Sequence, residues 1–524
     1  MGKFYITTAI DYVNALPHLG HAYEKIAADV IARYHRLRGD EVWFLTGVDE
    51  HGTKIEKVSN LSGISPKEHC DRITQEFINT WKNLNISYDD FIRTTQERHK
   101  NTVIKIFKKL LENGDIYKSK YEGLYCTGCE GFILEKDLID GKCPEHQIKP
   151  DWISEENYFL NISKYKDKIK EHIIKNPNFI LPEIRRTEVL HLIDDFKDIS
   201  ISRESVSWGI PVPGDEKQVI YVWVDALSNY ITALGFLSDN DENFKKFWPA
   251  NVQMIGKDIL KFHTIIWPTI LMGLGIELPK TIFVHGFVYS KSLKMSKTIG
   301  NVIDPNELVE KYKSDAVRYY LLRDIVFGKD GDFILESFEK RVDADIANNL
   351  GNALNRILTI LDKNFEGIVP ECPSNFVSEE LSESIIKETI KKIEEYMENF
   401  GLHETLITIW NLIDTLNKYI DTTAPWNLAK NSKTDKNAYN KLKGVLYNCL
   451  ETLRIIAILI SPFIPTIASQ IWEQLGIKES IYEQRWDDLV WGKLKPGIRT
   501  NRLGPIYPRI SSKLADKEKK KSQK

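Results

Sequence analysis

A strand, a helix and a second strand follow one another at the start of the chain, and that order constrains the fold more than any other feature. Residues 3–10 (KFYITTAI) form an apolar run, and residues 22–38 place Ile26, Val30, Ile31 and Tyr34 at helical spacing. Basic Arg36 and Arg38, then Gly39, predict the end of that helix. Residues 41–48 (EVWFLTGV) read as the second strand. Such a strand, helix, strand unit is what a parallel α/β sheet requires, so ligands are expected at the strand ends. Sheet character returns in residues 219–224 (VIYVWV), 253–255 and 281–284, expected as later strands of the same domain. The interval from about 117 to 149 breaks into short strands around cysteines, as an insertion would. Beyond residue 342, Ile346, Leu350, Leu354, Ile357, Leu358 and Leu361 recur at helical spacing, which predicts an all-helical C-terminal domain.

With 524 residues the chain is too long for one core. We therefore expect a Rossmann-type α/β catalytic domain in two halves, 1–116 and 219–280, split by an insertion at 117–218. A linking region at 281–341, the helical domain at 342–510 and a disordered lysine-rich tail at 511–524 complete the expected division. The N-terminus has no signal-peptide pattern, and the longest apolar stretch, about residues 455–463, is far below the roughly 18 residues of a membrane span. No membrane association is expected. The net charge of −3 supplies no global attraction for nucleic acid, so any RNA contact must rest on local basic groups and stacking. Three of the six cysteines cluster and three are scattered, which suits a reducing, cytoplasmic compartment better than a disulfide framework.

Two motifs carry chemistry. Pro17-His18-Leu19-Gly20-His21 stands where the first strand hands over to the helix. Helix N-termini present unpaired N–H groups and a positive dipole end, Gly20 permits close approach, and two imidazoles three residues apart can face one anion. The segment reads as a triphosphate cradle. Lys294-Met295-Ser296-Lys297-Thr298 follows a strand and could be a solvated basic loop, but its two lysines could also neutralise a pyrophosphate leaving group. A third cluster, Cys126-x-x-Cys129 with Cys143-x-x-His146, offers three thiolates and an imidazole at tetrahedral zinc spacing. Four protein ligands leave no open position, so the zinc would be structural.

His-Leu-Gly-His and Lys-Met-Ser-Lys-Thr together resemble the HIGH and KMSKS signatures of class I aminoacyl-tRNA synthetases, with Thr298 in place of the commoner Ser. Four further blocks resemble the methionyl-tRNA synthetase family: Ala9-Ile10-Asp11-Tyr12, residues 46–52 (TGVDEHG), residues 221–227 (YVWVDAL) and residues 262–267 (FHTIIW). The resemblance runs from about residue 3 to 505. It implies ATP contacts at Glu24, Gly256, Asp258, Ile259 and Val288 beside the motif residues, with Mg²⁺ accompanying the triphosphate. It also implies a methionine pocket of Ile10, Tyr12, Trp223, Ala226, Tyr230, His263 and Trp267, with Asp49 awaiting the ammonium at the end of the second strand. Aromatic walls suit a polarizable thioether. Asn352, Arg356 and Trp426 in the helical domain resemble the family's anticodon-reading residues; Trp can stack on a base while Asn and Arg bond to base edges. The activity so implied is ATP-dependent activation of L-methionine and its transfer to tRNA(Met), by a monomer, since no dimerising domain is expected after the helices.

A leucyl, isoleucyl or valyl synthetase would need a large editing domain that the interval between residues 48 and 219 cannot readily hold. A simple nucleotidyltransferase would not need the helical half. A non-catalytic tRNA-binding relative should have lost the motif histidines or lysines.

Overall fold

The computed structural model describes residues 2–126, 131–133, 135–144, 147–204, 206–290, 292–294 and 301–510. At its centre β1 (Lys3–Thr8) runs parallel to β2 (Glu41–Asp49), with Ile6 opposite Phe44. The crossover between them is α1 (Leu19–Leu37), which ends where the basic residues and Gly39 (φ 87°) predict. Its apolar residues Ala22, Ile26, Val30 and Ile31 are buried in the same core as Ile6 and Phe44. On the far side of β2 lies β3 (Asp90–Arg93), also parallel. The chain then returns to the other flank of β1, where β5 (Val252–Gly256) pairs parallel with it and β6 (Ile282–His285) pairs with β5. This reversal puts a topological switch point between β1 and β5, and the crevice outside their carboxyl ends is where such sheets bind ligands.

Two departures from the sequence reading concern this sheet. Its edge strand, β4 (Ile180–Leu181), pairs parallel with β6, although it lies within the span expected to be insertion. Residues 219–224 are not a strand of the sheet. Asp215–Ile220 pairs antiparallel with Ser202–Arg203 and Pro211–Val212 in a small separate sheet, and Val222–Leu227 is helix. A short apolar run does not distinguish a strand from a buried helix. Here a carboxylate decides: Asp225, wholly buried, is bonded by both His51 and His99, which fixes this stretch as a turn of helix. The rest of the insertion holds an antiparallel sheet built on the long pair Ile116–Cys126 and Asp151–Leu160, together with the helices Lys166–Lys175 and Glu183–Leu192. β6 is the strand read at residues 281–284 and lies just past the boundary placed at 280. After it Val288–Ser290 pairs with Leu293–Lys294 and Gly331–Phe333.

We label the later helices α2 (Glu97–Glu112), α3 (Val222–Leu227), α4 (Ser314–Asp324), α5 (Gly351–Phe365), α6 (Glu383–Glu398), α7 (Leu402–Thr423) and α8 (Lys436–Ile460). The last four form the expected bundle, and all six apolar positions read from Ile346 to Leu361 are buried. Every residue of α8 from Gly444 to Ile460 is buried, as the central member of a bundle requires. Bundle and sheet domain meet at Arg318 of α4, which is wholly buried. Its guanidinium pairs with Asp29 of α1 at 2.7 Å and donates to the carbonyls of Phe463, Pro462 and Leu84. One side chain thus ties the cradle helix to the bundle.

Candidate active site

The cradle is a helix cap made of two histidines. His18 is the N-cap of α1 and its Nδ1 accepts from the Gly20 N–H at 3.1 Å, while His21 Nδ1 accepts from the His18 N–H at 3.2 Å. The two rings stack with centroids 3.7 Å apart. Because both Nδ1 atoms are acceptors, each ring carries its proton on Nε2, the edge away from the helix. Burial, then His18 and Lys25, holds the His21 imidazole well below the usual range, so it is a neutral donor. An N-terminus capped in this way offers two oriented N–H groups and a dipole end to an anion.

One turn further along α1, Lys25 is sealed beneath the crevice. Its Nζ bonds to Asp11 at 2.7 Å, Glu24 at 2.9 Å and the Ala9 carbonyl at 2.9 Å. Burial would lower its pKa, but Asp11 and Glu24 more than offset this and the ammonium is retained. Burial would raise Glu24, yet Lys25 and His285 hold it ionised; His285 Nε2 donates to its second oxygen at 3.0 Å and Nδ1 faces the Gly286 carbonyl. This network clamps the carboxyl ends of β1 and β6 to α1. Gly256 ends β5 beside it, where a Cβ would stand 2.8 Å from the Asp258 carboxylate and would push that side chain aside. Glu24, Gly256, Asp258 and Ile259, named from the sequence, are therefore gathered at the switch point. Val288 is buried at the start of the next strand.

The residues named for an apolar pocket cluster around α3 and the turn that follows it. Trp223 stacks on Phe262 at 3.8 Å, and Tyr230 contacts both His263 and Trp267 with centroids 5.7 and 5.9 Å away. Tyr230 Oη donates to His263 Nε2 at 2.7 Å, while His263 Nδ1 donates to the Ile259 carbonyl at 3.1 Å. Burial lowers this imidazole to about 4, the Ile259 bond offsetting only part. His263 is thus neutral and sits in a π-helical turn, Phe262–Ile266, of the kind that recurs at functional sites. Ala226 is buried nearby, Ile10 and Tyr12 are half-buried, and Trp267 is wholly buried, its indole N–H bonded to Gln253. Asp49 ends β2, accepting from the His51 N–H at 3.3 Å, with its carbonyl bonded to Val13.

The loop motif lies only partly within the described residues. Lys294 ends the hairpin strand Leu293–Lys294, and residues 295–300, including Lys297 and Thr298, fall outside. The same holds for Cys129 and His146. Cys126 and Cys143 are both fully buried, and the Cys143 turn is closed by bonds from its N–H to Ile148 and from the Gln147 N–H back to it. Among the described residues no three His, Cys, Asp or Glu side chains cluster as a metal set. The lysine-rich tail is likewise outside.

In the bundle, Trp426 is 40% exposed, standing after Ala424 in a left-handed conformation (φ 43°) and Pro425 at the start of a short helix. The Arg356 guanidinium lies 5.3 Å from the indole centroid and pairs with Asp421. Asn352 lies one turn earlier on α5. An exposed aromatic with a cation beside it has the chemistry on which bases stack. Sequence reasoning missed Lys25, the His285 clamp and the His51–Asp225–His99 network. A lysine and an aspartate within apolar runs were the available signals, since buried charges are rare unless paired.

Comparison with known proteins assigns the class first. The family model described as "tRNA synthetases class I (M)" matches residues 4–151 and 146–358, and the "Anticodon-binding domain of tRNA ligase" model matches 382–516. Methionine--tRNA ligase of Caldanaerobacter subterraneus subsp. tengcongensis is 49% identical over 99% of this chain and 81% of its own length. That of Clostridium tetani is 49% identical over 97% and 78%. A solved Mycobacterium tuberculosis methionyl-tRNA synthetase in complex with methionyl-adenylate superposes with TM-score 0.93 at 39% identity, covering 97% of this chain and all of that one. The chain belongs to the methionine--tRNA ligase family. It is accordingly a ligase that activates L-methionine with ATP and joins it to tRNA.

Proposed function

We propose that the switch-point crevice forms methionyl-adenylate with a division of labour among these residues. The carrying observation is that the Glu24–Lys25–His285 clamp at the carboxyl ends of β1 and β6 stands within electrostatic reach of both the capped His21 and the Tyr230–His263 pair. The methionine carboxylate is already ionised, so its in-line attack on the ATP α-phosphate needs no general base and catalysis is positioning plus charge stabilisation. His18 and His21 donate from Nε2 to the triphosphate, Lys294 and Lys297 neutralise the departing pyrophosphate, where Mg²⁺ brought by ATP would add further positive charge, and Gly256, Asp258, Ile259 and Val288 border the nucleoside. Asp49 takes the ammonium. Ile10, Tyr12, Trp223, Ala226 and Tyr230 surround the side chain, with Trp267 supporting Tyr230 from behind. The methionyl group then passes to the terminal ribose of tRNA(Met), whose anticodon is read by Asn352, Arg356 and Trp426.

Cys126 and Cys143 fit a structural zinc by their burial and chemistry. With Cys129 and His146 they would hold it, and the ion would supply folding energy to the insertion. We place the protein in the cytoplasm. Asp49→Asn tests the reading: the methionine KM in pyrophosphate exchange should rise at least tenfold with the ATP KM nearly constant. Equal effects on both substrates would refute the assignment of Asp49 to the ammonium.

A further inference from the structure

Asp225 joins two histidines that differ in one respect. His99 on α2 uses both ring nitrogens, Nε2 to Asp225 at 2.7 Å and Nδ1 to Thr232 at 2.7 Å, and is sealed at zero exposure. His51 uses only Nδ1, which bonds to Asp225 at 2.7 Å; its ring stands edge-on to Trp208 at 5.7 Å. No described residue partners its Nε2, and that atom is absent from the sealed polar atoms of the core. His51 and Trp208 line a half-open cleft whose enclosed part is about 20 Å³, walled also by Tyr125 of the insertion, Arg203 and Tyr221. The Arg203 guanidinium lies 4.3 Å from the Tyr221 ring centroid. The cleft is lined by His51, Gly52 and Thr53, which follow Asp49 in the chain, and the Asp49 carboxylate accepts the His51 N–H. Burial would raise the Asp225 carboxyl, but the two histidines hold it at about 2, so it is an anion throughout the working range. A buried carboxylate on Nδ1 fixes the tautomer that leaves Nε2 as an acceptor, the arrangement by which a histidine becomes a general base.

The two half-reactions need such a base unequally. Activation uses an ionised carboxylate, whereas transfer uses a neutral ribose hydroxyl that must lose a proton. We propose that His51 is the proton acceptor of the transfer half-reaction, with Asp225 as its positioning residue. This rests on the adenylate lying beside Asp49. The ribose O–H proton passes to Nε2 as the oxygen attacks the methionyl carbonyl carbon. The ester C–O bond forms, the carbonyl carbon to phosphate oxygen bond breaks, AMP leaves with that electron pair, and His51 returns its proton to water.

The test compares two rates in the full-length enzyme: pyrophosphate exchange without tRNA, and single-turnover transfer from preformed methionyl-adenylate to tRNA(Met). In His51→Gln the ratio of transfer to exchange should fall about a hundredfold, within the usual range for one acid–base group. In His51→Ala the same fall should be reversed at least tenfold by added imidazole, which fits the vacated space. Asp225→Asn should lower the ratio in the same direction without imidazole rescue. A ratio that stays level in His51→Gln, whether both rates fall or neither does, overturns the proposal, as does a fall in His51→Ala that imidazole leaves untouched. An Asp49→Asn enzyme whose methionine KM is unchanged would instead count against the Asp49 reading.

Discussion

Arg318→Leu removes the guanidinium that ties α1 to the bundle, and the cost can be worked from its partners. Asp29 and Arg318 are both at zero side-chain exposure, 2.7 Å apart. Burial would raise the Asp29 carboxyl, but Arg33, Arg318 and a bond from Ser87 hold it at about 2 against an ordinary 3.8. That depression corresponds to about 2.4 kcal/mol at neutral pH. The sign follows directly: a lowered carboxylate pKa contributes stability that is complete above 3.8 and is lost as pH falls toward 2. Removing Arg318 also strands the carbonyls it serves, and breaking a buried pair typically costs about 3–5 kcal/mol. We therefore expect Arg318→Leu to lose about 3–5 kcal/mol in urea unfolding at pH 7, and its acid-induced loss to begin at higher pH. Paired with Asp29→Asn in a double-mutant cycle, the two changes should be strongly non-additive. A single-variant loss under 1 kcal/mol, or additivity within about 0.5 kcal/mol, would refute the role given to this joint.

Two further outcomes follow from the site. His263, buried with its pKa lowered to about 4, gives up stability as pH falls from 6.5 toward 4, because the unfolded chain binds the proton first. The change is about 3 kcal/mol, and urea titrations of wild type and His263→Gln across that window should diverge by this amount; parallel curves would contradict a neutral buried imidazole. Trp426→Ala should raise the KM for tRNA(Met) about tenfold or more through loss of one stacked base, worth about 1–3 kcal/mol. Acceptor-stem minihelices lacking an anticodon should show no such difference between the two enzymes.

Much of this was legible in the chain because single residues with local rules carried it. Gly39 and the arginines before it mark the end of α1, and the helical spacing from Ile346 to Leu361 marks the bundle, since both depend on near neighbours alone. The histidine cap was legible as a motif, although its mutual bonding, which sets both tautomers, was not. Residues 219–224 misled because an apolar run buries equally well as strand or helix; what chose helix was Asp225 meeting His51 and His99 from elements more than a hundred residues away. The edge strand Ile180–Leu181 was missed for a related reason, being too short to show alternation. Lys25 and Arg318 look like surface charges on amphipathic helices until their partners are assembled around them.

Pyrophosphate exchange with the purified protein, run against each of the twenty amino acids without tRNA, tests the central claim most directly. Exchange driven by methionine and dependent on Mg²⁺ is the result this account predicts. Exchange driven by another amino acid, or by none, would contradict it.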